Sequence, residues 1–196
     1  MDKSFWNGVF AKGREYRKIN VVLLDMMLAK ISHGQQPGTC LDIGCGAGDL
    51  AAKLAEKGYA VTGADISDVA LEKARALVEE KEISGKVRFV QFDAVRDDYA
   101  TLPFQPFDLI TCKDTIAFFN DLEIFFSSLK KVLKEDGHLL VITSIRRKGC
   151  LYDERERTIS VDPEELIAVA RKSFPSFSMV HEDFCEENLS TGIFMS

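Results

Sequence analysis

Apolar and polar positions in this chain switch repeatedly between two periods. Runs at 40–43, 59–64, 86–92, 107–112 and 138–144 are short, apolar or partly alternating, and bounded by glycine, proline or charge, which predicts strands buried in a sheet. The stretches 49–57, 68–81 and 122–133 instead space their apolar residues at helical intervals. Ala70, Ala74, Leu77 and Val78 share one such face, and Leu122, Phe125, Phe126, Leu129 and Leu133 another. Gly58 ends the first of these helices, Ser67 caps the second, and Lys130, Lys131 and Lys134 form the solvated face and last turn of the third, where cations suit the helix dipole. Strand and helix signals in alternation predict an α/β doubly wound sheet.

Both ends depart from this alternation. Ile19, Val22, Leu23, Met26 and Met27 follow helical spacing before the first strand, and 33–38 break that helix. Ahead of it, Phe5-Trp6-Asn7-Gly8-Val9-Phe10 carries the only tryptophan, in a segment too short for a core of its own. Beyond the fifth strand, Arg146-Arg147-Lys148 and Asp153-Glu154-Arg155-Glu156-Arg157 read first as a solvated, charged connection. The second reading makes Arg146, Arg147 and Tyr152 the rim of a substrate mouth. Asp162 then N-caps a helix with Pro163 in its first turn, running to Phe174, and 177–184 and 191–195 are two last strands.

Composition narrows the classes. With 196 residues, 46% of them hydrophobic, the chain has material for one sizeable core and is expected to form one domain. Lys+Arg 25 against Asp+Glu 31 gives a net charge of −6, so the chain lacks the overall positive charge that nucleic acid or an anionic membrane would attract. A small-molecule partner fits better. No apolar run approaches the roughly 20 residues of a membrane span, and Met1-Asp2-Lys3-Ser4 lacks the apolar core of a signal peptide, so a cytoplasmic protein is expected. Cys40, Cys45, Cys112, Cys150 and Cys185 are scattered, without paired spacing or neighbouring histidines, which predicts that most are buried small hydrophobes rather than parts of a disulfide framework or a metal site.

The chemistry concentrates in Leu41-Asp42-Ile43-Gly44-Cys45-Gly46-Ala47-Gly48-Asp49-Leu50. A strand runs into three glycines at alternate positions and then into a helix start. Such a turn takes positive φ, lets a ligand touch the main chain, and offers the unpaired N–H groups of the helix end. Asp42 sets a carboxylate at the mouth of the turn, where it would hold a cationic group. The stretch resembles the first motif of the class I, seven-strand S-adenosylmethionine (SAM) dependent methyltransferases, acidic-x-Gly-x-Gly-x-Gly. A dinucleotide fingerprint would need glycine or alanine at position 49; Asp49 stands there and would repel a pyrophosphate from the helix end.

The resemblance covers 36–196 and implies a mostly parallel seven-stranded sheet with helices on both faces and a C-terminal antiparallel strand. Asp65 lies at the end of the second strand, about 20 residues past the turn, where a carboxylate accepts from ribose hydroxyls. Asp93 after the third strand matches the residue that binds the adenine amine in the family, and Phe107-Asp108-Leu109-Ile110 matches the fourth motif. The family thus implies SAM as cofactor, with Asp42, Gly44, Cys45, Gly46, Gly48, Asp65, Ile66, Asp93, Ala94, Lys113 and Trp6 as its binding residues. It also implies a helical lid over 1–35 ahead of a methyltransferase domain at 36–196, with a plain aromatic anchor as the other reading of the lid. Small-molecule members often place a histidine after the fourth strand. Here Thr115-Ile116-Ala117-Phe118-Phe119-Asn120-Asp121 has none, which suggests an apolar substrate wall. The Asn/Asp-Pro-Pro-Tyr/Phe signature and the Pro-Cys pair of the nucleobase and amide enzymes are also missing. Asp114 and Tyr16 are the candidates for a general base, while His33, His138 and His181 read as surface or structural residues. The expected function is methyl transfer from SAM to a small-molecule acceptor by in-line displacement. The alternatives are a SAM- or nucleotide-binding protein without chemistry and an NAD-dependent oxidoreductase.

Overall fold

The computed structural model describes residues 2–13, 18–32, 36–184 and 189–196. The chain divides into two compact units, Met1–Asp97 and Asp98–Ser196. The first contains α1 (Lys3–Ala11), α2 (Val21–Ser32), β1 (Thr39–Ile43), α3 (Asp49–Glu56), β2 (Ala60–Asp65), α4 (Asp68–Glu80) and β3 (Val87–Gln91). The second contains β4 (Phe107–Lys113), α5 (Leu122–Val132), β5 (Leu133–Arg146), α6 (Glu154–Thr158), α7 (Pro163–Ala170), β6 (Ser178–Phe184) and β7 (Leu189–Met195). The strands form a seven-stranded sheet in the order β3-β2-β1-β4-β5-β7-β6. The pairs β1–β2, β2–β3 and β4–β5 are parallel, and β7 runs antiparallel to both β5 and β6. This is the doubly wound architecture that the alternation of strand and helix predicts, with the C-terminal antiparallel strand that the family resemblance implies.

In the first unit β1 and β2 are buried, with Leu41 and Ile43 fully enclosed, as a parallel strand covered on both faces requires. Ile43 pairs with Ala64, and Ala64 with Val90, so the carboxyl ends of three strands come to one edge. Gly63 sits opposite Phe89 in that register. A Cβ on Gly63 would lie 2.6 Å from Phe89 Cδ1 and 3.1 Å from Cys45 Sγ, so the missing side chain is what lets the phenyl ring and the thiol close over the sheet. The second unit is built on phenylalanine: Phe107, Phe126, Phe177 and Phe194 are fully buried, and Phe177 packs 5.7 Å from Phe126 and 5.7 Å from Phe194.

Several local expectations need correction. The buried stripe of α2 is Leu24, Met27, Leu28 and Ile31, whereas Val22 and Met26 are exposed; helical spacing fits either face, and packing selects one. The aromatic segment at the N-terminus is helical, as the expected helical lid requires, and is started by Asp2 accepting from the Phe5 N–H at 2.9 Å. β5 carries an irregularity at 134–137, where β4 pairing passes from Leu133 directly to His138. Gly137 permits it, since a Cβ there would meet Leu133 and the Phe107 carbonyl at 2.9 Å. The charged connection contains α6, whose Asp153 and Glu156 form a reciprocal capping box. The Asp-x-x-Glu spacing carried that signal. α7 ends at Ala170 rather than Phe174.

Candidate active site

The glycine turn is held from the neighbouring strand. Gly44 N–H and Cys45 N–H both donate to the Ala64 carbonyl, at 2.8 and 3.1 Å, and Gly46 N–H donates to Asp65 Oδ2 at 2.9 Å. Gly44, Gly46 and Gly48 all take positive φ, 66°, 53° and 85°, a conformation costly for any side-chain-bearing residue. Gly48 is also the N-cap of α3, which receives no side-chain cap, so the first N–H groups of that helix face the turn. Asp49 pairs with Lys53 at 2.6 Å and leaves its carboxylate at this helix end.

Asp65 joins the turn to the next helix. Its second oxygen, Oδ1, accepts from the Ser67 N–H at 2.8 Å, and Ser67 in turn caps α4 by accepting from the Ala70 N–H at 3.1 Å. Burial raises the Asp65 carboxyl above its ordinary range, against the lowering effect of N–H donors on Ser67, Gly46 and Ile66. A carboxylate presents about four lone-pair positions, so acceptor capacity remains for a hydroxyl donor. Asp42 is buried in β1, in register with Gly63. Cys45 is buried between Asp42 and Asp65, and burial first, then those two charges, push its thiol well above the ordinary value. It remains a neutral packing group rather than a nucleophile.

At the end of β3 the Asp93 side chain folds into its own turn, Oδ1 accepting from the Val95 N–H at 3.0 Å, while Oδ2 lies 3.8 Å from Arg96 Nε. Ile66 and Ala94 follow their aspartates at the same edge, and the Ile66 carbonyl accepts from Gln91 Nε2 at 3.2 Å. Asp42, the turn, Asp65, Ile66, Asp93, Ala94 and Trp6 therefore all belong to the first unit.

Contacts that no local sequence signal announces bring α1 onto this edge. Lys3 pairs with Asp68 at 2.7 Å, the Ser67 hydroxyl donates to Asn7 Oδ1 at 2.7 Å, and Lys73 Nζ donates to the Phe10 carbonyl at 2.6 Å. Residues 3, 7 and 10 share one helix face. The Lys3 ammonium, helped by Asn7, holds the Asp68 carboxyl below its usual range. The Phe10 ring lies 3.2 Å from where a Gly46 Cβ would stand, so it covers the turn from one side. Trp6 is on this helix, its ring edge-on to Phe5 at 5.2 Å. Asn7 and Lys73 were not visible as site residues in the sequence because their partners lie about sixty positions away.

Lys113 and Asp114 lie in the second unit, at the carboxyl end of β4. Lys113 Nζ contacts Asp114 Oδ2 at 2.6 Å, and Asp114 adopts a left-handed backbone, φ 53°. The candidate base is thus already joined to a cation. Of the expected substrate wall, Ile116 is buried and Phe119 stacks on Phe125 at 4.1 Å, so part of it is core. His138 Nδ1 lies 2.8 Å from the Ser196 carbonyl, a structural tie between β5 and the chain end. Tyr16, His33 and Cys185 lie outside the described residues. No helix among the described residues is long and apolar enough to cross a membrane.

A family model described as a methyltransferase domain matches residues 41–141, which takes in the glycine turn, both strand-end aspartates and β4. A ubiquinone biosynthesis O-methyltransferase of Vibrio vulnificus is 28% identical over 193 residues, covering 95% of this chain and 80% of that protein. Among solved structures, magnesium protoporphyrin IX methyltransferase from Synechocystis, with bound SAM, is similar with a TM-score of 0.69 at 19% identity, over 98% of this chain and 93% of that one. The [4+2]-cyclase SpnF is similar with a TM-score of 0.66 at 22% identity, over 82% of this chain and 58% of that one. These two likenesses establish the fold. With the match spanning the motifs built above, this chain belongs to the class I, SAM-dependent methyltransferase family.

Proposed function

We propose that the chain holds SAM on the glycine turn of its first unit and transfers the methyl group to a small-molecule acceptor. The observation that carries the reading is Asp65: a buried carboxylate that fixes the turn through Gly46 and α4 through Ser67, and keeps lone pairs for ribose hydroxyls. The local chemistry fits the cofactor, since the carboxylate only accepts, the hydroxyls donate, and three glycines leave the main chain uncovered. Bound SAM supplies an activated sulfonium methyl for in-line displacement. The protein's part is to orient the acceptor and exclude water, which favourable intramolecular models put at up to about 7–11 kcal/mol. Asp93 and Ala94 are assigned to the adenine and Asp42 to the cationic end. Gly44, Cys45, Gly46, Gly48 and Ile66 supply backbone contacts, and Trp6 and Lys113 complete the set. Asp114 is the candidate base for an acceptor that must lose a proton.

In this reading α1 is the lid. The grip of Lys3, Asn7 and Phe10 on α4 and the glycine turn supports it. The small-molecule acceptor is supported by the net charge of −6 and by the ubiquinone-pathway relative, and a cytoplasmic enzyme acting on neither nucleic acid nor membrane is proposed with it. A cyclase on the same fold makes turnover part of the test. Calorimetric titration with SAM, S-adenosylhomocysteine and NAD in parallel, followed by assay against an acceptor panel, decides the matter. Micromolar binding of the first two with methylated product supports the reading. Binding without product from any acceptor favours a sensor, and binding of NAD alone overturns the assignment.

A further inference from the structure

Beyond β5 the chain leaves the sheet and returns to it. Arg146 N–H donates to the Val161 carbonyl at 2.9 Å and Val161 N–H to the Ser144 carbonyl at 3.0 Å, so the excursion 147–160 is closed at its neck by a strand-like bridge. Its interior is braced by polar contacts. Arg146 Nη1 donates to the Ser160 carbonyl at 2.7 Å, and Arg157 Nε donates to the Tyr152 carbonyl at 3.1 Å. The Tyr152 hydroxyl donates to the Arg147 carbonyl at 3.0 Å and accepts from the Arg147 N–H.

These contacts wall a cavity of about 570 Å³ lined by Arg146, Arg147, Lys148, Tyr152 and Arg157, with Asp162 and Glu164 as its acidic members. Four cations thus face two carboxylates, in a chain whose net charge is −6. Asp162 is already committed, since its Oδ1 accepts from the Glu164 and Glu165 N–H groups as the cap of α7. Among the described residues, Arg146, Lys148 and Arg157 take part in no ion pair. The volume is that of a small-ligand site, and guanidinium forks match the paired oxygens of carboxylate or phosphate. Concentrating unpaired positive charge in a braced cavity has no stabilising value by itself, because like charges repel.

We propose that this cavity binds the carboxylate or phosphate group of a small molecule and that this molecule is the methyl acceptor, the second half resting on the function proposed above. Lys113 pairs with Ile142, and β5 continues four residues to Arg146, which carries the cavity about 13 Å along the strand past the end of β4. The residues of the cavity also lie outside 41–141, the stretch that the methyltransferase family model matches, as expected of a part that selects the acceptor rather than the cofactor.

The test is a titration of the full chain with inorganic phosphate and, separately, benzoate at constant ionic strength, followed by backbone and arginine side-chain NMR shifts. Saturable shifts at Arg147, Lys148 and Arg157 are expected from at least one anion, and the tighter of the two separates a phosphate source from a carboxylate source. The affinity falls about tenfold or more in the Lys148→Glu/Arg157→Glu variant. Should that variant not fold, Lys148→Ala, at an exposed position, serves with a smaller loss expected. No saturable shift from either anion, or unchanged affinity in a folded variant, overturns the site. For the acceptor, the variant is expected to raise KM at least tenfold for a charged acceptor and leave kcat and the matching neutral ester nearly unchanged. An equal loss on both overturns the acceptor role. Failure of the methyltransferase reading is read separately, as absence of SAM binding, and does not alter the anion titration.

Discussion

Asp65→Ala tests the site at its centre. The substitution removes two charge-assisted hydrogen bonds, to the Gly46 and Ser67 N–H groups at 2.9 and 2.8 Å, and leaves those donors in a largely enclosed place. Losing each such bond costs about 1.5–3 kcal/mol, but the variant also sheds the burial that raises the carboxyl in the native fold. The net loss of stability is therefore expected at about 1–3 kcal/mol, and a chain of this size loses about 2–4 °C in Tm per kcal/mol. Binding loses more. Two ribose hydroxyls donating to a carboxylate contribute about 3–6 kcal/mol together, so the Kd for S-adenosylhomocysteine should rise by about two to four decades. Calorimetry at pH 7 measures the Kd, and circular dichroism confirms that the variant is folded. A folded variant whose Kd stays within threefold of the native protein would refute the assignment of Asp65. The native protein gives a matching pH dependence. Hydroxyl donors favour the ionised carboxylate, so affinity weakens as pH falls through the raised pKa of Asp65. The same shift acts on stability in the opposite sense: the contribution of this group is fully present below its unfolded value and is lost as pH rises through the folded one.

Three further outcomes follow from particular contacts. Trp6 is the only tryptophan and lies on α1; if α1 is a lid, S-adenosylhomocysteine changes its emission and Phe10→Ala abolishes the change, whereas an unresponsive native emission leaves α1 as an anchor only. Gly63→Ala places a Cβ 2.6 Å from Phe89 and is expected to cost about 1–3 kcal/mol, part of it recovered in Gly63→Ala/Phe89→Leu; a thermal melt unchanged from the native protein would contradict the packing described. Among the described cysteines, Cys150 is exposed while Cys40, Cys45 and Cys112 are buried. A thiol reagent at pH 8 should therefore modify the exposed Cys150 much faster than the buried Cys45, and equal rates would mean that the glycine turn opens readily.

The sequence by itself determined the order of elements and the chemistry at the strand ends. Periodicity marks a strand or a helix because the side chains of each repeat at a fixed interval. The three alternating glycines announce a turn with positive φ because few other residues enter that region at low cost. Asp65 and Asp93 were legible for the same local reason, each following an apolar run directly. Tertiary structure decided what depends on distant partners. Helical spacing in α2 picked out Met27 but also Val22 and Met26, which packing leaves exposed while it buries Leu24. The grip of α1 on α4 joins residues about sixty positions apart, and no window of sequence holds both partners. The arginines after β5 looked like a solvated connection because charge runs usually are. Their gathering around a cavity depends on the Ile145–Val161 bridge and the Tyr152 contacts, which exist only once the chain has folded back on itself. Local sequence fixes what each residue can do with its near neighbours, and only chain closure brings the far ones within the few ångströms over which hydrogen bonds and packing act.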